Sequence, residues 1–189
     1  MIRFWFCLAA LSLVMLVTGV AIAQETQEKG LPQDFEGWKD QPSACDAVMD
    51  NLVRNCGFET GTFANWTQSG DLSFTGISGP PVPHTGGFGA FFGPIQSLGY
   101  ISQMLPTTPG QAYEISFWLR NVGMPNRYQV YWGGDLISDQ MNVGDFPYMR
   151  VSVSPQGASS AMTELKFGFF NVPDYFWLDD IVVIPCPPE

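Results

Sequence analysis

The sequence predicts an all-β fold, a two-sheet antiparallel β-sandwich of the jelly-roll kind, and three observations predict it. From Asn51 onward, short β-branched and aromatic runs alternate with clusters of Gly, Pro, Asn and Asp, the punctuation of strands and turns. No stretch sustains apolar residues at i, i+3 and i+4, so no helix is expected. Several runs also alternate with period two. In 113–120, Tyr113, Ile115, Phe117 and Leu119 share one face while Glu114, Ser116, Trp118 and Arg120 share the other, the pattern of a half-buried strand.

Taken in order, the chain opens with a secretory leader. Arg3 supplies the positive region, Phe4 to Val17 the apolar stretch, and Ala21-Ile22-Ala23 a small-residue cleavage site, so residues 1–23 are set aside as a signal peptide. Removing Arg3 with the leader takes the formal charge of −10 to −11, which makes nucleic acid and anionic membrane surfaces poor partners. No later segment is long and apolar enough to span a bilayer. Residues 24–44 are polar, acidic and interrupted by Pro32 and Pro42, and read as a disordered acidic linker. Residues 45–189 are the folded domain, long enough to bury a core without many disulfides.

Within it, strands are expected at 52–54, 72–75, 89–92, 100–105, 112–121, 127–132, 148–154, 164–170 and 176–184. Pro109-Gly110, Gly133-Gly134-Asp135 and Val172-Pro173-Asp174 mark turns between them. In 148–153, Met149, Val151 and Val153 alternate with Tyr148, Arg150 and Ser152; in 164–169, Leu165, Phe167 and Phe169 alternate with Glu164, Lys166 and Gly168. The exported chain keeps three cysteines, Cys45, Cys56 and Cys186, so one disulfide and one leftover thiol are expected in an oxidising compartment. Spacing leaves both Cys56 to Cys186 and Cys45 to Cys56 open.

Two constellations bear chemistry. Glu59 near the start of the domain and Asp179-Asp180 near its end could supply carboxylates to a shared calcium ion, which takes six to eight oxygen ligands. Period two puts Asp179 and Asp180 on opposite faces, so only one would reach the ion. The second constellation is aromatic and polar: Trp118, Trp132, Tyr128, Tyr148, Arg120, Arg127, Arg150 and Gln129. Sugars stack C–H faces on Trp and Tyr while their hydroxyls seek planar polar groups, so such a sheet face is a glycan platform. Trp66 and Trp177 read as core. His84, alone in a turn-rich loop, makes neither a catalytic triad nor a zinc set, and nothing argues for the cleft that a glycosidase pair needs. The chain reads as non-enzymatic. Asn65-Trp66-Thr67 is a formal glycosylation acceptor, poorly exposed if Trp66 is core.

The ordered series Asn51-Leu52-Val53, Gly57-Phe58-Glu59-Thr60-Gly61 with Trp66, His84-Thr85-Gly86-Gly87, Tyr100-Ile101-Ser102-Gln103, Thr108-Pro109-Gly110-Gln111, Ile115-Ser116-Phe117-Trp118-Leu119 and Leu178-Asp179-Asp180-Ile181 resembles a known family. It is similar to the carbohydrate-binding-module, galactose-binding-like jelly roll found as exported bacterial single-domain proteins, over about residues 51 to 184. The resemblance implies a structural calcium site with Glu59 and Asp179 as ligands, Asp180 in reserve, and carbonyls from the loop at Thr85 and Gly86. It also tips the disulfide toward Cys45 with Cys56, because Cys56 stands where the family commonly has a small residue. The function expected is a secreted, non-catalytic module binding a polysaccharide or glycoconjugate, and the sheet-face pattern, rather than the resemblance, points to Trp118, Arg120, Tyr148, Arg150, Tyr128 and Trp132 as the contacts. The alternative is an extracellular structural or adhesive protein using the same fold for protein contacts.

Overall fold

Ten strands build two antiparallel five-stranded sheets in a computed structural model that describes residues 37–187, within one compact unit, Asp34–Glu189. The signal-peptide reading falls outside the described residues, as does most of the linker. The strands are β1 Thr67–Gly70, β2 Thr75–Ser78, β3 Gly89–Phe92, β4 Gly99–Pro106, β5 Ala112–Asn121, β6 Asn126–Trp132, β7 Asp135–Met141, β8 Phe146–Gly157, β9 Met162–Asn171 and β10 Phe176–Pro185. The first sheet runs β1-β4-β9-β6-β7 and the second β2-β3-β10-β5-β8. Apart from the β2–β3 and β6–β7 pairs, neighbours in each sheet come from distant parts of the chain, the connectivity of a jelly roll.

The period-two residues fill the space between the sheets. Ile101 and Leu105 of β4, Val130 of β6 and Leu165, Phe167 and Phe169 of β9 face Phe92 of β3, Ile115, Phe117 and Leu119 of β5 and Phe176, Leu178 and Val183 of β10, all buried. Aromatic pairs bridge the layers: Phe92 stacks on Phe169 at 4.3 Å, and Phe117 meets Phe167 edge-on at 5.0 Å. Each fully buried side chain of this size contributes about 1.5 to 3 kcal/mol. Trp66 belongs to the same core, as its sequence implied.

Two strands escaped the sequence reading, and both lie at sheet edges. β1 is exposed throughout and β7 nearly so, so neither has an apolar face to generate a pattern. β7 returns from β6 through Gly133-Gly134, both at positive φ (59° and 97°), which suits a tight hairpin. The run at 72–75 slides to β2. Residues 52–54 form no strand; Leu52 instead donates its N–H to the Val183 carbonyl at 2.9 Å.

The start of the domain is tied down. Cys45 and Cys56 form a disulfide, and Cys186 is free and half-buried. Residues 37–44, counted with the linker by composition, pack as well: Trp38 meets Phe88 edge-on at 5.2 Å, and Ser43 is buried.

Candidate functional site

Two polar regions stand out, one at a bulge in β10 and one on the outer face of the first sheet. At the bulge, the pairing of β10 with β5 shifts register between Asp179 and Val182, and Asp180 takes φ 47°. A bulge of this kind re-aims side chains. Asp179 and Asp180 therefore do not point to opposite faces as period two implies; both meet the loop at His84 and Thr85.

Asp180 accepts from four donors. Its Oδ1 takes the Ser43 hydroxyl and the Cys45 N–H (3.1 Å), and its Oδ2 takes His84 Nδ1 (2.7 Å) and the Thr85 hydroxyl (2.7 Å). That contact places the proton of His84 on Nδ1 as donor. Asp179 Oδ2 accepts the N–H groups of His84 (2.7 Å) and Thr85 (3.2 Å), and its Oδ1 accepts the N–H of Asp180 (2.8 Å). Glu59 accepts the Gly87 N–H at 2.9 Å, and its carboxylate sits where a Cβ on Gly86 would fall. The electrostatics diverge accordingly. Burial, then the charge of Asp180, pushes Asp179 up to about 8. Burial acts on Asp180 too, but the bonds from His84, Ser43 and Thr85 outweigh it and hold this carboxyl below its usual range. Burial raises Glu59.

Asp180, the reserve ligand for calcium, is closed to an ion, and the expected carboxylates do not gather into one cluster. A carboxylate offers about four lone-pair sites, and all four on Asp180 are filled. The Thr85 hydroxyl is a donor to Asp180. Among the described residues, the trio of His, Cys, Asp or Glu ligand atoms found within 4.8 Å of one another is Cys45, Asp46 and Cys56, not Glu59, Asp179 and Asp180. The two sulfurs of that trio are joined in the disulfide and cannot act as thiolates. The bulge is a hydrogen-bonded clasp that fastens the domain's first residues and the 84–88 loop onto β10.

The expected glycan residues divide between the sheets. Trp118, Arg120, Tyr148 and Arg150 share the outer face of the second sheet, as alternation implied, with Trp118 opposite Arg150. Three of them are engaged within the chain. His84 stacks on Trp118 at 3.8 Å, the Tyr148 hydroxyl donates to the Val82 carbonyl at 2.5 Å, and Arg150 donates to Ser116 (3.0 Å) and Glu114 (3.3 Å). Arg120 lies over the Trp177 ring at 4.5 Å. Trp177 is thus half-buried on the outer face rather than core. Tyr128 and Trp132 do not join any platform: both point inward and are buried, with Trp132 Nε1 donating to the Gly157 carbonyl at 3.0 Å. The physical reason is parity, since a one-residue step along a strand reverses the face.

The other parity of β6 carries the second polar region. Arg127, Gln129 and Tyr131 point outward beside Lys166 and Gly168 of β9 and Tyr100 of β4, with Tyr100 opposite Gly168, Gly168 opposite Gln129, and Lys166 opposite Tyr131. A Cβ on Gly70 would lie 3.0 Å from one edge of the Tyr100 ring, and a Cβ on Gly168 2.7 Å from the other. The ring therefore lies down across three strands, because glycine on both sides leaves it room. Tyr131 stands 6.4 Å away between ring centroids, and Lys166 Nζ lies 4.5 Å from its centre. Arg127 donates twice to Asp139, at 2.8 and 2.5 Å. With its amide oxygen toward that guanidinium (2.9 Å), Gln129 donates to the Tyr131 hydroxyl at 2.7 Å. The bond from Arg127 holds Asp139 below its usual range, and burial raises Tyr131. Sequence reasoning missed Tyr100, Tyr131 and Lys166 as a group. The signal was the small residue Gly168 at an outward position.

No family model and no curated relative matches the chain. Solved structures do. TmCBM61, solved with β-1,4-galactotriose, matches with TM-score 0.59 at 20% identity over 72% of this chain and 99% of that one. The C-terminal family 22 carbohydrate binding module of Clostridium thermocellum Xyn10B matches with TM-score 0.53 at 14% identity, over 73% and 96%. The K1 cleaved adhesin domain of Lys-gingipain from Porphyromonas gingivalis matches with TM-score 0.54 at 14% identity, over 69% and 96%. At these identities the likeness is one of fold: the chain has the jelly roll of carbohydrate-binding modules.

Proposed function

We propose that this is a secreted, non-catalytic module that binds a glycan on the outer face of the first sheet. The observation that carries the reading is Tyr100, laid flat between Gly70 and Gly168 beside Tyr131 and Lys166. A ring lying in the sheet turns one π-face outward, the geometry on which a sugar's C–H face stacks, and the Lys166 ammonium at the ring, 5.8 Å from its centroid, is placed to meet the sugar's hydroxyls. Around it, Arg127 and Asp139 offer polar groups for hydroxyls, with Arg127 paired to Asp139 and Lys166 to Glu164 at 3.8 Å, while buried Gln129 braces the Tyr131 hydroxyl from below. The cations on this face are neutralised by neighbours, which favours a neutral polysaccharide. The disulfide and the shared fold support export. Calcium has no place in this reading, since the clasp residues already satisfy one another.

Retention of the mature protein on immobilised galactan, xylan and other neutral polysaccharides tests the proposal. Binding that Tyr100→Ala or Tyr131→Ala weakens about tenfold or more, and Trp118→Ala leaves intact, is the expected result. Loss with Trp118→Ala alone would return the site to the second sheet.

One observation favours adhesion to protein instead. The same face is bordered by exposed Met104, Met141 and Met162 and by Leu136, and flexible apolar side chains suit protein contacts. Sedimentation of wild type and Cys186→Ser separates the readings: concentration-dependent association of both, with no polysaccharide retained, would favour adhesion.

A further inference from the structure

We propose a second ligand site, in the cleft at Arg120 on the outer face of the second sheet, that takes a single carboxylate carried on a flat ring. The cleft has a volume of about 480 Å³, with Val122, Phe146, Pro147 and Tyr148 among its walls and Asp145 at its edge. Arg120 contributes a guanidinium that makes no hydrogen bond or ion pair with the described residues; its contact is the stack on Trp177. A guanidinium carbon 4.5 Å from an indole centre leaves the planar N–H donors available, arranged as a fork that matches a carboxylate.

The other polar groups around the cleft each have a partner in the chain, though Asp145 keeps its second oxygen and its charge. Asp145 Oδ1 accepts the Gly123 N–H at 2.9 Å, and the Tyr148 hydroxyl is tied to Val82. Buried asparagines hold the walls in place. Asn121 Nδ2 donates to the Val143 and Gly144 carbonyls (3.1 Å each), Asn126 Nδ2 to Val143 (2.8 Å), and Asn171 Nδ2 to Asn121 Oδ1 (2.9 Å). The walls of the cleft are therefore held before any ligand arrives, and Arg120 offers a cation beside apolar surface, with the Asp145 carboxylate at the rim setting a limit of one negative charge on what can enter. That combination fits a ring bearing one carboxylate, from a uronate sugar or an aromatic acid. A polyanion is disfavoured by the formal charge of −10 on the chain.

The test is a ¹⁵N NMR titration of the full chain with glucuronate, 4-hydroxybenzoate and, as the uncharged control, glucose. Saturable shifts of the Arg120 Nε–H and the Trp177 indole N–H with at least one acid, and none with glucose, are expected. Response to glucuronate alone assigns the site to acidic glycans; response to 4-hydroxybenzoate alone assigns it to aromatic acids. Arg120→Gln should abolish the shifts, and Arg120→Lys, which keeps the charge but loses the fork, should weaken binding about tenfold. Tyr131→Ala should change nothing here, so failure of the tyrosine face and failure of this site are separate results. The proposal falls if neither acid gives a saturable shift, if glucose matches glucuronate, or if a folded Arg120→Gln or Arg120→Lys binds as tightly as wild type.

Discussion

At the clasp, Asp180 accepts from Ser43, Cys45, His84 and Thr85 and has no lone pair left, while on the first sheet the ring of Tyr100 is half-buried, with Lys166 Nζ 5.8 Å from its centre and the polar groups beside it paired with one another. Both regions are built from polar and aromatic side chains on outer sheet faces. They differ in how completely the chain satisfies them. A buried polar network that is fully bonded stabilises and specifies a structure, whereas a face with a stacking surface still exposed has interactions left to offer a ligand. The acidic trio, the most eye-catching cluster in the chain, is thus spent largely on the fold, and under the proposed function it is the plainer tyrosines that would bind.

The widest split between the regions comes from paired substitutions. Asp180→Ala leaves buried donors on Ser43, Cys45 and Thr85 without an acceptor and should cost about 3 to 5 kcal/mol in denaturant unfolding. Tyr131→Ala should cost under about 1 kcal/mol in the same experiment while removing polysaccharide retention. Equal losses of stability would erase the distinction.

Next in size is the disulfide. Cys45 and Cys56 stand 11 residues apart, and joining a loop of that order contributes about 3 kcal/mol. The double variant Cys45→Ser, Cys56→Ser should lose about that much stability yet retain polysaccharide binding, because the loop belongs to the clasp.

A smaller effect sharpens the electrostatics of the clasp. Asp179 is raised from 3.8 to about 8, so the folded protein holds its proton where the unfolded chain has released it. Its contribution to stability is complete below about pH 4 and declines as pH rises to about 8. Asp180, which faces His84 and is lowered, acts in the opposite sense: its contribution is present above about pH 4 and fades in acid. Melting temperature should therefore fall between about pH 5 and 8, and Asp179→Asn should flatten that fall. A wild-type profile that rises across this window would contradict the buried position of Asp179.

The smallest expected effect is none. Adding calcium or chelator should leave the melting temperature unchanged, since an ion stabilises only by binding the native state. A calcium-dependent rise would show that the clasp opens to an ion and would make it a site after all.

The legible parts of the sequence and the illegible ones follow from burial. Ile115, Phe117 and Leu119, or Leu165, Phe167 and Phe169, announce their strands because one face of each meets a core. β1 and β7 have no such face, and were invisible. Glu59 and Asp179-Asp180 were visible as a group, but their role depended on a bulge at Asp180 that no alternation rule contains. In β6 the aromatic residues Tyr128, Tyr131 and Trp132 look alike in composition, and only the pairing of Val130 with Phe167 decides that Tyr131 faces out.

By itself the sequence determined the fold class and most of the strands that border the core, because these rest on periodicity and hydrophobicity, properties of consecutive residues. Tertiary structure bore out the Cys45–Cys56 pairing toward which the family resemblance leaned, and it alone decided that Asp179 and Asp180 bond to a loop about 95 residues away and that Gly70 and Gly168 make room for Tyr100. Those outcomes depend on contacts between strands distant in the chain, and a contact of that kind has no signature in either partner taken separately.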